Sequence, residues 1–213
     1  MENGTYRGAG VRIAILVEGR TEKAFLPALR NFLSPRLAGR MPNLDPLVYD
    51  GRIPKAEKLQ RIVHNLLSDL QRPADAVIAL TDVYTGTRDF IDAADAKAKM
   101  RQWVGDNPKF YPHVAQYDFE SWLLPFWPTI QKLARHQKGA PAGAPETINH
   151  NDPPAHRIKE IFELGKCRDS YSKPRDAKRI LEANDLLMSA NVCPELKSFL
   201  NTILKLSGGD LIQ

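Results

Sequence analysis

Cysteine is scarce in this chain: Cys167 and Cys193 are the only two among 213 residues. Two thiols without close ligand spacing exclude a disulfide scaffold and a structural zinc site, and reduced cysteines are expected. The five histidines are scattered and form no His-x-x-x-His pair. No apolar run approaches the ~20 residues that cross a bilayer. The first ten residues lack the apolar stretch of a secretory signal, so a cytoplasmic protein with no membrane association is expected. Neither Gly-x-x-x-x-Gly-Lys-Ser/Thr nor Gly-x-Gly-x-x-Gly occurs, which removes the familiar nucleotide-binding loops. No solenoid repeat is visible.

What is present suits a folded α/β protein. Hydrophobic residues make up 43% of the chain, enough to exclude wholesale disorder. Thirty Lys and Arg against twenty-five Asp and Glu give +5, which permits a nucleic-acid partner without requiring one. The distribution is more informative. Residues 157–179 carry eight basic residues against four acidic ones, whereas residues 82–120 carry seven acids and five bases. An acidic centre beside a basic tail suits an enzyme that handles a polyanion through bound cations; solvated helix faces would give the same counts.

Periodicity then alternates. Val11 to Val17 reads as a buried strand stopped by Glu18-Gly19. From Thr21 to Leu33 the spacing is helical, with Thr21 as the expected cap and Pro27 an awkward interior residue. Leu47-Val48-Tyr49 reads as a second strand, Leu59 to Leu70 as a helix, and Ala76 to Leu80 as a third strand. Asp92 to Val104 is helical in composition, and Phe110 to Gln116 is a fourth strand. A helix start is expected at Asp118–Leu124, limited by Pro125. Further helices are expected at Arg157–Leu164, Arg175–Leu187 and Pro194–Leu206, with a fraying tail at Gly208-Gly209. This alternation argues for a mostly parallel sheet flanked by helices, with residues 11–137 as the core and 138–206 as a loop and helical extension packed on it. Trp122, Phe126 and Trp127 are expected to pack rather than stack on a ligand. Cys193 is expected to be a buried small residue.

Sheets of this kind gather ligands beyond the carboxyl ends of their strands, and acids stand there. Glu18 follows the first strand, Asp82 the third, and Asp118 and Glu120 the fourth. In parallel neighbouring strands these carboxylates meet at one edge, where their repulsion calls for protons or cations. Oxygen donors suit Mg²⁺ or Mn²⁺ better than zinc. Acids also end strands simply because charge belongs at the solvent edge, and Glu18 can complement a helix dipole. Gly19 allows a tight strand-to-helix turn with backbone amides open to an anion.

At these residues a family resemblance enters. Val17-Glu18-Gly19-Arg20-Thr21-Glu22 resembles the first motif of Toprim domains, a metal-dependent fold shared by topoisomerases, primases and some nucleases. Leu80-Thr81-Asp82-Val83-Tyr84 resembles the second. More closely, the chain from about Arg12 to Leu204 resembles a bacterial Toprim-like family, domain of unknown function 4276. It shares Tyr117-Asp118-Phe119-Glu120-Ser121-Trp122-Leu123-Leu124, Tyr171-Ser172-Lys173 and Cys193-Pro194-Glu195-Leu196 with that family.

The resemblance implies phosphodiester chemistry at Mg²⁺ held by a glutamate and an Asp-x-Asp pair. Glu18 matches the glutamate and Asp82 the first aspartate. Tyr84 stands where the second aspartate would be, and a phenol is a poor ligand for a hard cation near neutral pH. Glu120 is the implied replacement, with Asp118 as a further ligand or a water-orienting group. Lys173, Arg175 and Arg20 become candidates for phosphate neutralisation, and Tyr84 for contact with a base. The implied activity is that of a nuclease, with anti-phage defence by analogy. A catalytically inactive partner of a defence ATPase and a small-molecule phosphohydrolase are the rivals.

Overall fold

The apolar run ending at Val17 becomes an inner strand of a parallel sheet in the computed structural model, which describes residues 10–83, 89–148, 152–166 and 170–213. This strand, β1 (Arg12–Val17), lies between β2 (Asn43–Val48) and β3 (Ala76–Asp82). β4 (Phe110–Ala115) pairs with β3, giving the order β2-β1-β3-β4 with all strands parallel. Ile13, Ile15 and Val17 face one side, and Ala14 and Leu16 the other; all five are buried because both faces of the sheet are covered.

Two helices, α2 (Ala56–Ser68) and α3 (Ala93–Val104), cover one face. Leu59, Val63, Ala96 and Met100 there meet Ala14, Leu16, Val77 and Ala79. The opposite face receives α1 (Arg20–Leu33) and the C-terminal part of the chain: a 3₁₀ segment at Phe119–Phe126, α4 (Trp127–Ala134), α5 (Pro154–Leu164), α6 (Lys173–Glu182), α7 (Leu186–Ala190) and α8 (Pro194–Leu206). Phe25 of α1 lies 5.5 Å, 6.1 Å and 6.3 Å from the rings of Phe119, Trp122 and Phe199, so one aromatic cluster joins α1, the 3₁₀ segment and α8. Trp122, Phe126, Trp127 and Cys193 are all buried. No helix among the described residues is long and apolar enough to cross a membrane.

Several local expectations change. Thr21 lies inside α1 rather than capping it; Gly19 occupies the cap position with an extended backbone and no side chain to offer. Pro27 is tolerated because it is exposed, where water can satisfy the Lys23 carbonyl left without its helical donor. β2 starts four residues earlier than expected and includes Pro46. The helix expected at Asp118–Leu124 is a 3₁₀ segment, and regular α-helix starts only at Trp127, beyond Pro125. The single helix expected over Arg175–Leu187 is two. Asn184 Nδ2 donates to the Ile180 carbonyl at 2.6 Å, and the Asp185 carboxylate accepts from Leu187 N at 2.9 Å, so these side chains end α6 and start α7. The tail does not fray: Gly209 N donates to Leu204 O at 2.8 Å, and Ile212 N to Asn201 Oδ1 at 2.8 Å.

Candidate functional site

Parallel pairing sets the strand ends side by side. Val17 aligns with Val48 and Leu80, and Asp82 aligns with Ala115, so the chain leaves β1, β3 and β4 at a common carboxyl edge. Glu18 follows β1 and is half-buried. It accepts hydrogen bonds from the Thr81 hydroxyl and from the Asp82 backbone N–H, which tie the ends of β1 and β3 together. One turn on, Glu22 is buried and folds back over the start of α1, accepting from the Gly19 backbone N–H and from its own. Beyond β4, Tyr117 takes a left-handed backbone with φ 72°, turning the chain into Asp118 and the 3₁₀ segment that carries Glu120. Asp118 is buried; its Oδ2 accepts from Ala155 N at 3.1 Å, at the start of α5, while Oδ1 is also buried. Glu120 is fully buried and accepts from Tyr171 Oη at 3.2 Å and from Lys173 Nζ at 3.0 Å.

The electrostatics show how closely these acids gather. Burial, followed by the like charges of Glu18, Glu22, Asp118 and Glu120, pushes the Asp82 carboxyl well above its ordinary range. Burial also lifts Glu18 to about 7 against the Thr81 hydrogen bond, with Glu22 adding to the rise and Arg52 opposing it. Asp118 is pushed up to about 7 by burial and Glu120, with Lys173 pulling the other way. Glu22 is raised by burial and by Glu120. The ammonium of Lys173 is stabilised by Glu120, Asp118 and Asp82 beyond what its own burial removes. Burial and the neighbouring Glu120 hold the Tyr171 phenol protonated, so it serves as a donor.

Asp82, Glu18, Asp118 and Glu120 therefore share one edge. They do not form a ready coordination shell: among the described residues, no three His, Cys, Asp or Glu side chains stand close enough to hold one ion. Two of these acids already have local partners, Glu120 in Lys173 and Tyr171 and Glu18 in Thr81. The donors fit Mg²⁺ or Mn²⁺ in kind, being all oxygen, and the buried Asp118 carboxylate meets the backbone N–H groups of Ala155 and Glu120, with no side-chain donor to Oδ1 among the described residues.

Of the expected phosphate contacts, Lys173 lies within the cluster and Arg20 is exposed at the start of α1 beside it. Arg175 is directed elsewhere, with Nε and Nη2 3.0 and 2.8 Å from the buried Asp176 carboxylate and Nη2 3.0 Å from Ser170 O. Tyr84 lies outside the described residues. Three participants carried no role in the sequence reading: Glu22, Thr81 and Tyr171. Each sits within a quoted motif, and for Glu22 the spacing of four from Glu18 was the available signal.

Comparison with known proteins agrees with this architecture. The family model described as "Domain of unknown function (DUF4276)" matches residues 17–204. No curated protein matches the chain by sequence. Among solved structures, the C-terminal region of the Burkholderia pseudomallei OLD protein is similar, at 15% identity and a TM-score of 0.55, covering 93% of this chain and 98% of that one. The corresponding region of the Xanthomonas campestris pv. campestris OLD protein gives 16% identity, a TM-score of 0.48, and coverage of 93% and 97%.

Proposed function

The chain belongs to the DUF4276 family, and from that premise we propose that it is a divalent-cation-dependent, Toprim-like phosphodiester-processing protein that cleaves nucleic acid. Anti-phage defence, with an ATPase or another defence protein as partner, belongs to the same proposal. The observation that carries it is Asp82, whose carboxyl lies within electrostatic reach of four other acids drawn from the ends of β1 and β4 and the start of α1. Five carboxylates at one edge are relieved either by holding protons or by a bound cation, and a divalent cation would relieve them at neutral pH and above, where Lys173 supplies a single positive charge.

Glu18 and Asp82 would hold the cation, with Asp118 offering its Oδ1. When bound, Mg²⁺ or Mn²⁺ supplies charge neutralisation at the phosphoryl oxygens and a water of lowered pKa. Lys173 balances Glu120, and its half-exposed ammonium has donors left over for a phosphate oxygen. Arg20, exposed at the rim, adds a second, and both position the backbone without reading bases. Tyr171 and Thr81 fix the orientations of Glu120 and Glu18.

The deciding measurement is cleavage of single- and double-stranded DNA and RNA with Mg²⁺, with Mn²⁺ and with chelator. Cleavage should require the metal, and Asp82→Asn should abolish it; equal cleavage by that variant would assign the activity to a contaminant or another site. One observation favours a second reading, a non-catalytic subunit: Glu120 is already neutralised by Lys173, and no three acids converge among the described residues. That reading predicts no cleavage with either metal and retained binding to a protein partner in the Asp82→Asn variant.

A further inference from the structure

Two helices start at the acid edge and run away from it side by side. α1 begins directly after Glu18-Gly19, and α6 begins at Lys173, whose ammonium meets Glu120. Their far ends flank a common groove of about 300 Å³, lined by Ala28, Asn31 and Phe32 of α1, Leu181 and Glu182 of α6, and Leu186 of α7. The two helices are thus parallel neighbours pointing out of the site.

The solvent face of α1 carries charge of one sign, and that of α6 is mostly basic, with Glu182 its one exposed acid. On α1, Arg20, Lys23, Pro27 and Arg30 are exposed at helical spacing, and the only acid of the helix, Glu22, is buried and turned to the cluster. On α6, Arg175, Lys178 and Arg179 are exposed. Arg175 and Arg179 share the buried Asp176, and Lys178 meets Glu182 at 3.7 Å. Helices elsewhere pair their exposed lysines with acids on the same helix, as Lys99 with Asp95 on α3 and Lys159 with Glu163 on α5. α6 mixes signs in that way through Lys178 and Glu182, whereas the exposed face of α1 carries Arg20, Lys23 and Arg30 and no acid of its own helix.

We propose that the exposed faces of α1 and α6 form a track for the sugar-phosphate backbone of a nucleic-acid strand, leading it into the acid edge. This inference rests on the phosphodiester reading above and names where the polymer lies. The fourteen residues of α1 span about 20 Å at 1.5 Å per residue, the length of about six nucleotides at the 3.4 Å rise of one strand. Binding by cations alone is independent of sequence and strongly salt-dependent.

The test measures binding of labelled single-stranded and duplex oligonucleotides to the full chain in chelator, across a salt series, by fluorescence anisotropy. The side chains of Lys23 and Arg30 are exposed and neither residue is assigned to the site, so Lys23→Gln/Arg30→Gln leaves every residue of the acid cluster in place. Its slope of log affinity against log salt should flatten by about 1.4 on a single strand or about 1.8 on a duplex, following the loss of two phosphate contacts. The charge reversal Lys23→Glu/Arg30→Glu should weaken binding further, with the unfolding temperature unchanged. Unchanged slope and affinity in both variants overturn the track. Displacement of the oligonucleotide by polyglutamate at equal charge concentration also overturns it, because the surface then selects an acidic protein as readily. Wild-type cleavage with an unaltered slope in the variants refutes only the track. Salt-dependent binding that the variants weaken, without cleavage by any metal, refutes only the catalytic reading.

Discussion

Asp82, Glu18 and Asp118 all hold their protons to higher pH than they would in an unfolded chain. The folded state therefore binds more protons than the unfolded state between about pH 4.5 and 7, and the sign of the linkage follows: stability contributed by these groups is present below their unfolded pKa values and falls as pH rises through the folded ones. His113, kept neutral by burial with its pKa lowered to about 3, works in the opposite sense below about pH 6.5, so the comparison must be with a variant. In chelator, Asp82→Asn should be more stable than the wild type at pH 8, by on the order of 1–2 kcal/mol and with a higher unfolding temperature, and the difference should shrink towards pH 5. Adding Mn²⁺ at pH 8 should raise the wild type above the variant. Thermal unfolding followed by circular dichroism checks both outcomes. Glu18, Asp82, Asp118 and Glu120 were legible as a group because strand ends can be read from apolar runs. Their pairing was not, since whether Lys173 reaches Glu120 depends on two segments 53 residues apart meeting across the fold.

At the level of elements, β1, β3 and α8 follow from composition alone: β-branched or continuous apolar runs, and a proline followed by a regular 3.6-residue pattern. The break between α6 and α7 depends on what Asn184 and Asp185 bond to, and composition does not reveal that. The cap of α1 was misread for a similar reason, as a threonine near a helix start looks like a cap until the turn places Gly19 there. α6 is anchored to the site through Lys173 and, just before it, Tyr171, both on Glu120. Lys173→Met would leave the fully buried Glu120 charge uncompensated. With the lysine side chain about half exposed, a loss of about 1–3 kcal/mol is expected. Adding Glu120→Gln should recover much of that loss, and a double-mutant cycle in urea measures it. Purely additive effects would mean that the pair contributes nothing.

Across the whole molecule, the sheet and the C-terminal helices share one interior. Phe25, Trp122 and Phe199 pack in one cluster, and the Asp118 carboxylate is held by the N–H of Ala155 from beyond the long loop. Residues 1–137 expressed alone should therefore expose the apolar surfaces of α1, the 3₁₀ segment and β4 that α5, α6 and α8 cover, and should be insoluble or bind a hydrophobic dye strongly. A soluble fragment with a cooperative melt would show that the helices are an independent addition. The parallel topology and a C-terminal extension packed on the core were readable from the alternation of elements; which helix faces meet was not, because amphipathic helices fit several partners equally well.

Pro46 has its own consequence for how copies of this protein behave together. Asn43 and Tyr49 donate their backbone N–H groups to β1, so along β2 the odd-numbered residues face inward and Pro46 turns its missing donor outward. The middle of the outer rim of the sheet thus lacks the amide that an incoming strand would need. Crowded molecules therefore meet an interrupted hydrogen-bonding row along this edge, which disfavours extending one another's sheet there by zipping edge to edge.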